Sequence, residues 1–139
     1  MDLHLFDTPG KIQQQLYAAE EAKKMLFERR RVFMSRCVNA FSNPPMVIEL
    51  AGQREMVWRK RTAVTGGPQS TVEFHTKAGQ RFLASLPAHV LERYVELDAE
   101  RIRLNMQIRI ATALVLSLRQ YLMKHQASLV FASSGVDNG

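Results

Sequence analysis

The stretch from Ser85 to His125 constrains the fold most, because it is typical of one long amphipathic helix. Ser85 can cap the first free amide groups, and Pro87 is tolerated in a first turn where its missing N–H has no partner. Apolar side chains then recur at alternating intervals of four and three residues, which is a heptad seam. The seam consists of Val90, Tyr94, Leu97, Arg101, Leu104, Ile108, Ala111, Val115, Leu118 and Leu122. The charged member of the seam, Arg101, is expected to fix the helix register or the number of partners, at some cost in stability.

The second half of this helix is apolar on more than one side, so the sequence predicts burial on several sides. A membrane span needs about twenty apolar residues, but Arg109 and Arg119 bracket only nine uncharged ones. The helix is therefore expected in a bundle or against a second copy of itself. We expect a homo-oligomer, most simply a dimer. The predicted interface residues are Ile108, Val115, Leu118 and Leu122.

A first long helix is predicted from Thr8-Pro9, with the threonine as its cap. It must end by Asn43, because Pro44 disfavours helical geometry in the residue before it. Its seam residues are Ile12, Leu16, Ala19, Leu26, Phe33, Cys37 and Ala40.

Between the helices the pattern changes to short extended runs. Strands are predicted over residues 46–50, 55–64 and 70–76, with a turn at 65–68 and a short helical piece at 80–84. The predicted fold class is α+β and mainly helical: two long antiparallel helices flank a small three-stranded antiparallel sheet, in the order helix–β–β–β–helix. Such a sheet needs cover on one face, which the helices or a second subunit must supply.

The 139 residues, of which 46% are hydrophobic, are enough for one domain with its own core. We expect that domain to span residues 1–132, with a disordered tail at 133–139. One cysteine excludes an intrachain disulfide framework and fits a reducing compartment. The start of the chain shows no signal-peptide pattern, so a cytoplasmic location is expected.

Basic residues are the sharpest indication of function. The net charge of +6 favours acidic partners. One candidate cluster lies in the first helix, at Arg29, Arg31 and Arg36, and another in the second strand, at Arg59, Lys60 and Arg61. Such clusters can neutralise phosphates, and the neighbouring Trp58 could stack on an unpaired base.

The same arginines can instead pair within the protein. If the long helices are antiparallel, Arg29 could face Asp98 or Glu100, and these charges would then set helix pairing. The strand cluster is expected to have no such acidic partner nearby, which makes it the stronger candidate. Trp58 is also more often a core residue beneath a sheet.

Catalytic and metal-binding patterns are weak. Glu92, Glu96 and Glu100 follow one helix face, but their only nearby histidine, His89, is not repeated on another helix as carboxylate metal sites require. The turn at 66–68 lacks the residues of a phosphate-binding loop. Cys37 lies on a helix seam, which is typical of a buried residue. We therefore predict no enzyme activity, no cofactor and no metal.

The element order is similar to that of small bacterial nucleoid-associated dimers and of prefoldin subunits. The resemblance covers the order of elements and transfers no site residue. Two functions follow from the sequence. The first is a non-enzymatic assembly protein that self-associates through its long C-terminal helix and presents a basic surface to an acidic protein partner. The alternative is DNA or RNA binding through Arg59, Lys60 and Arg61.

Overall fold

The computed structural model describes residues 2–52, 54–61 and 71–137. A short 3-10 helix, Leu3–Phe6, precedes the first long helix. The remaining elements are α1 (Pro9–Asn39), β1 (Met46–Ala51), β2 (Glu55–Lys60), β3 (Thr71–Val72), α2 (Lys77–Ala84) and α3 (Ala88–Asp137). The predicted class is confirmed: the protein is a mainly helical α+β fold, with helix, three strands and helix in that order.

The helix ends follow the local sequence signals. The Thr8 hydroxyl accepts a hydrogen bond from the N–H of Lys11 at 3.2 Å, which confirms the predicted cap of α1. After α1 ends, Asn43 adopts a positive φ of 59°, a left-handed conformation that asparagine tolerates better than most residues and that turns the chain before Pro44. The sequence places the end of α3 too early, because its helical hydrogen bonds continue past His125. Residues 129–131, in the part of α3 beyond the predicted helix, are exposed.

The sheet is antiparallel in the order β1-β2-β3. Its register pairs Ile48 with Trp58, and Trp58 in turn with Val72. Among the described residues, the third strand is shorter than its apolar pattern predicts, and its two residues pair with Trp58 and Arg59. The predicted end of the second strand, at 62–64, and the turn at 65–68 lie outside the described residues.

The chain divides into two compact units, residues 1–27 with 107–139 and residues 28–106, which we call unit 1 and unit 2. The core of unit 1 is apolar. It consists of Ile12, Leu16 and Ala19 from α1 and Val115 and Leu118 from α3, with Phe6, Leu114 and Leu122 at its margin. An ion pair between Glu20 and Arg119, at 3.0 Å, also joins the two helices in this unit. The single domain predicted over 1–132, with its tail, stays a prediction.

Unit 2 holds the sheet, and aromatic residues form the centre of its core. Tyr94 of α3 is stacked on Phe41, with ring centroids 4.2 Å apart, and the indole of Trp58 meets it edge-on at 5.3 Å. The Tyr94 hydroxyl also accepts from the N–H of Met46 at 3.2 Å and donates to its carbonyl at 2.8 Å. These two bonds satisfy both backbone polar groups of Met46, the first residue of β1. Burial of the Tyr94 phenol raises its pKa.

Polar side chains of α3 extend this attachment to β2. Arg101 is buried, with only 5% of its surface exposed. It donates from Nη1 to the carbonyl of Met56 at 2.9 Å and from Nε to Asp98 at 2.7 Å. The same Asp98 oxygen accepts from the indole N–H of Trp58 at 2.9 Å. Each buried charge thus has a partner. The charged residue that interrupts the apolar seam fixes the position of the helix on the sheet.

Candidate binding surfaces

The predicted strand cluster does not form one surface. Arg59 is paired across the hairpin, with its Nε 2.7 Å from Oε2 of Glu49, so the expectation that it lacks a nearby acidic partner was wrong. Lys60 lies on the other face of the strand, with its ammonium 4.7 Å from the ring centroid of Phe82 in α2. Arg61 follows the strand and is exposed. Alternation of side chains along β2 separates Arg59 from Lys60.

Trp58 lies in the core of unit 2, where only 1% of its surface is exposed. Its indole N–H is already bonded to Asp98, and its ring lies against Phe74 and Tyr94. No ring face is open to a nucleic-acid base in this arrangement. We therefore leave Trp58 out of the proposed contacts.

The arginines of α1 are divided among different partners. Arg31 is paired with Glu28 on the same helix, and Arg36 is paired with Glu100 of α3. The predicted pairing of the two helices by charge therefore occurs in unit 2, through Arg36, whereas Asp98 pairs with Arg101. Arg29 is exposed. These three arginines do not converge on one site.

A second group of cations was missed by the sequence analysis. Lys77 and Arg81 are exposed and lie four residues apart on α2, so they occupy one helix face. Because Phe82 contacts Lys60, the same helix lies beside the basic end of β2. We call Lys60, Lys77 and Arg81 the α2 cationic patch. The four-residue spacing of two cations in a segment without acids was the signal that could have identified it.

The residues predicted to form an oligomer interface are covered by the protein's own chain. In unit 1, Val115 and Leu118 belong to the buried core, and Leu122 is packed at its margin. Ile108 is also buried. For Val115 and Leu118, α1 supplies the apolar cover that a second copy was expected to supply.

A different seam of α3 faces solvent in unit 1. It repeats at intervals of three and four residues, which is again the spacing of a helix-pairing seam. We call this surface the outer stripe. Its residues are Ala113, Leu116, Gln120, Met123, Ala127 and Val130. All six are exposed. More than half of the surface of Leu116, Met123 and Val130 is accessible.

The charges along this part of α3 have one sign. Residues 107–136 contain Arg109, Arg119 and Lys124 and no aspartate or glutamate. Arg119 is partly neutralised by Glu20 of α1. The outer stripe is therefore an exposed apolar strip on a cationic helix segment.

The remaining candidates show no reactive arrangement. A groove of about 590 Å³ in unit 2 is lined by α1 and α3 residues that include Arg36, Arg93 and Glu96, which offer charges of both signs. Cys37 is buried, and its burial raises the pKa of the thiol to about 12, so the thiolate needed for nucleophilic chemistry is scarce at neutral pH. Among the described residues, no three histidine, cysteine or acidic side chains are grouped as metal ligands would be.

Two further findings bear on identity. Within the described part of the chain, no helix combines the length and the apolar character that crossing a bilayer requires. Comparisons with protein-family models, with curated proteins and with solved structures found no match.

Proposed function

We propose that the protein is a non-enzymatic assembly protein whose outer stripe docks an amphipathic helix with acidic flanks from a partner protein. The observation that carries the proposal is the exposed heptad seam on an α3 segment that contains cations and no acidic side chain. A second helix is the element that this spacing fits, because knobs at such intervals enter holes on a facing helix. A partner of this kind belongs to the helix-in-groove class of peptide recognition.

Burial of the stripe supplies the attraction. Leu116, Met123 and Val130 are each more than half exposed in the isolated chain. Covering a large apolar side chain completely is worth about 1.5–3 kcal/mol. These three side chains are each about half covered already. Burying the rest of their surface would contribute a favourable free energy of a few kcal/mol to association, before the entropic cost of ordering is subtracted.

The charges favour an acidic partner over a second copy. If two copies paired in parallel through the outer stripe, Arg119 of one copy would face Lys124 of the other, because the flanking positions that meet are five residues apart. Like charges at such positions are destabilising. A partner helix with glutamate at its flanking positions would instead meet both cations with opposite charge.

The test uses a fluorescein-labelled designed peptide that carries leucine at its seam positions and glutamate at its flanking positions. Binding to the full chain is measured by fluorescence anisotropy. The double variant Leu116→Asp with Met123→Asp is expected to bind about 100-fold more weakly, because about 3 kcal/mol of apolar contact is lost.

A matched control carries the same charge change away from the stripe and its flanking positions, in Ser128→Asp with Ala132→Asp, both at exposed positions of α3. The control is expected to weaken binding only a few-fold through the altered field. Equal losses in the two double variants, or no binding of the peptide to the wild-type chain, would overturn the proposal. Sedimentation velocity tests the second copy as occupant, and a wild-type dimer that the stripe variant dissociates would also overturn it.

A further inference from the structure

The α2 cationic patch is assembled by a contact between β2 and α2. The ammonium of Lys60 lies over the ring of Phe82 at 4.7 Å from its centroid, an attraction between the cation and the negative face of the ring. Arg81 precedes Phe82 on α2, and Lys77 lies one helical turn before Arg81. The contact therefore brings one cation of β2 to the helix that carries two more.

The chain around α2 is poor in acidic residues that could neutralise the patch. From Lys77 to Leu91 the chain contains no aspartate or glutamate. The nearest upstream acid, Glu73, lies 3.4 Å from the buried guanidinium of Arg101 and 3.9 Å from His75. Glu49 is engaged with Arg59 on the other face of the sheet. Lys77 and Arg81 thus lie in a stretch of the chain that supplies cations and no acid.

We infer that the α2 cationic patch binds the phosphate backbone of a nucleic acid without reading its bases. Three cations gathered at one helix can neutralise neighbouring phosphates, whose condensed counterions are released on binding. Base recognition needs groups that reach base edges or stack on base faces, and the nearby Trp58 is buried in the core. This inference goes beyond the proposed function, since it concerns unit 2 and a different partner.

An anionic membrane surface is the weaker fit. Helices that lie on membranes insert an exposed apolar face beside their cations. The apolar residues of α2 near the patch are covered instead: Leu83 is buried, and Phe82 lies half-buried beneath Lys60. Binding to the phosphates of a polynucleotide needs cations but no exposed apolar side chains. The patch presents cations of this kind.

The experiment measures anisotropy of a labelled mixed-sequence duplex, and of one of its single strands, with the full chain at about 50 and 200 mM salt. We expect binding to both, and affinity that falls steeply with salt. Lys77→Gln with Arg81→Gln should reduce the salt slope for the duplex by about 1.8, since each lost phosphate contact contributes about 0.9. Both residues are exposed, so circular dichroism should show an unchanged fold.

The matched control is Arg93→Gln with Arg103→Gln, which removes two exposed positive charges from α3 in the same unit. Its salt slope should stay within about half a unit of the wild type. An equal reduction in both variants would overturn the inference, because the affinity would then reflect net charge alone. It would also be overturned by no binding at low salt, or by binding to phosphatidylserine vesicles without binding to either oligonucleotide.

Discussion

The side-chain amide of Asn105 brackets the backbone of Met56. Its Oδ1 accepts from the Met56 N–H at 3.0 Å, and its Nδ2 donates to the Met56 carbonyl at 3.0 Å. Met56 lies on the part of β2 that β3 does not reach. An asparagine of α3 thus takes the place of the strand that would otherwise pair there, and it closes part of an open sheet edge.

Replacement of Asn105 tests this arrangement. Asn105→Leu should lower the free energy of unfolding by about 1–3 kcal/mol, because it leaves the buried Met56 N–H without a partner. Urea unfolding followed by circular dichroism measures the change. Arg103→Ala, at an exposed position on the same turn, should shift it by less than about 0.5 kcal/mol. Equal shifts in the two variants would show that the amide is not an edge cap.

Arg101 and Asp98 should behave as a coupled pair. Arg101→Met should cost about 3–5 kcal/mol, because the carboxylate of Asp98 would remain buried without its cation. Adding Asp98→Asn removes the charge while its amide oxygen can still accept from Trp58. The double variant should therefore be more stable than the two single losses predict by addition. Additive losses in a double-mutant cycle would argue against the pairing.

Two leucines of α3, two residues apart, should differ sharply in unit 1. Leu118 is 6% exposed and Leu116 is 57% exposed. Leu118→Ala should destabilise the protein by about 2–5 kcal/mol, since it opens a cavity in the core, whereas Leu116→Ala should cost less than about 1 kcal/mol. Thermal unfolding compares them. The reverse order would contradict the assignment of Leu118 to the core and of Leu116 to the surface.

The thiol of Cys37 should be inert in the folded protein. Its pKa is raised to about 12 by burial, so the native thiol stays neutral at pH 8 and reacts with a disulfide reagent only after denaturant is added. The unfolded thiol ionises nearer its ordinary pKa of 9.0. Burial of the neutral thiol contributes its full stabilisation below pH 9.0, the ordinary pKa of the thiol. This stabilisation is lost as the pH rises from there toward 12. The stability advantage over Cys37→Ala should therefore shrink between about pH 8 and pH 10.5. Rapid native labelling at pH 8 would contradict this account.

Local signals were sufficient to predict the elements. The Thr8 cap, the proline pair after α1 and the alternation within residues 46–60 each act over a few residues, so helix, strands and helix follow from the sequence. The length of α3 could not be predicted in this way. Its final turns lack a stop signal, and no apolar periodicity distinguishes packed from exposed residues there.

Contacts between distant residues limited prediction of the surfaces. The pair between Glu49 and Arg59 depends on the register that sets Ile48 opposite Trp58, and the sequence does not state that register. The α3 helix carries more than one apolar seam, and either α1 or a second copy could cover the seam through Val115. Only the folded chain shows that α1 does so and leaves Leu116 exposed.

The account depends most on the chemistry assigned to the outer stripe. The most direct test compares two peptides with the same leucine seam, one flanked by glutamate and the other by lysine, in anisotropy titrations with the full chain. Because Arg119 and Lys124 lie at flanking positions of the stripe and residues 107–136 contain no acid, the glutamate peptide should bind at least about 10-fold tighter at low salt. The difference should narrow at high salt as charges are screened. Equal affinity for the two peptides, or a preference for the lysine peptide, would contradict the assignment of an acidic partner.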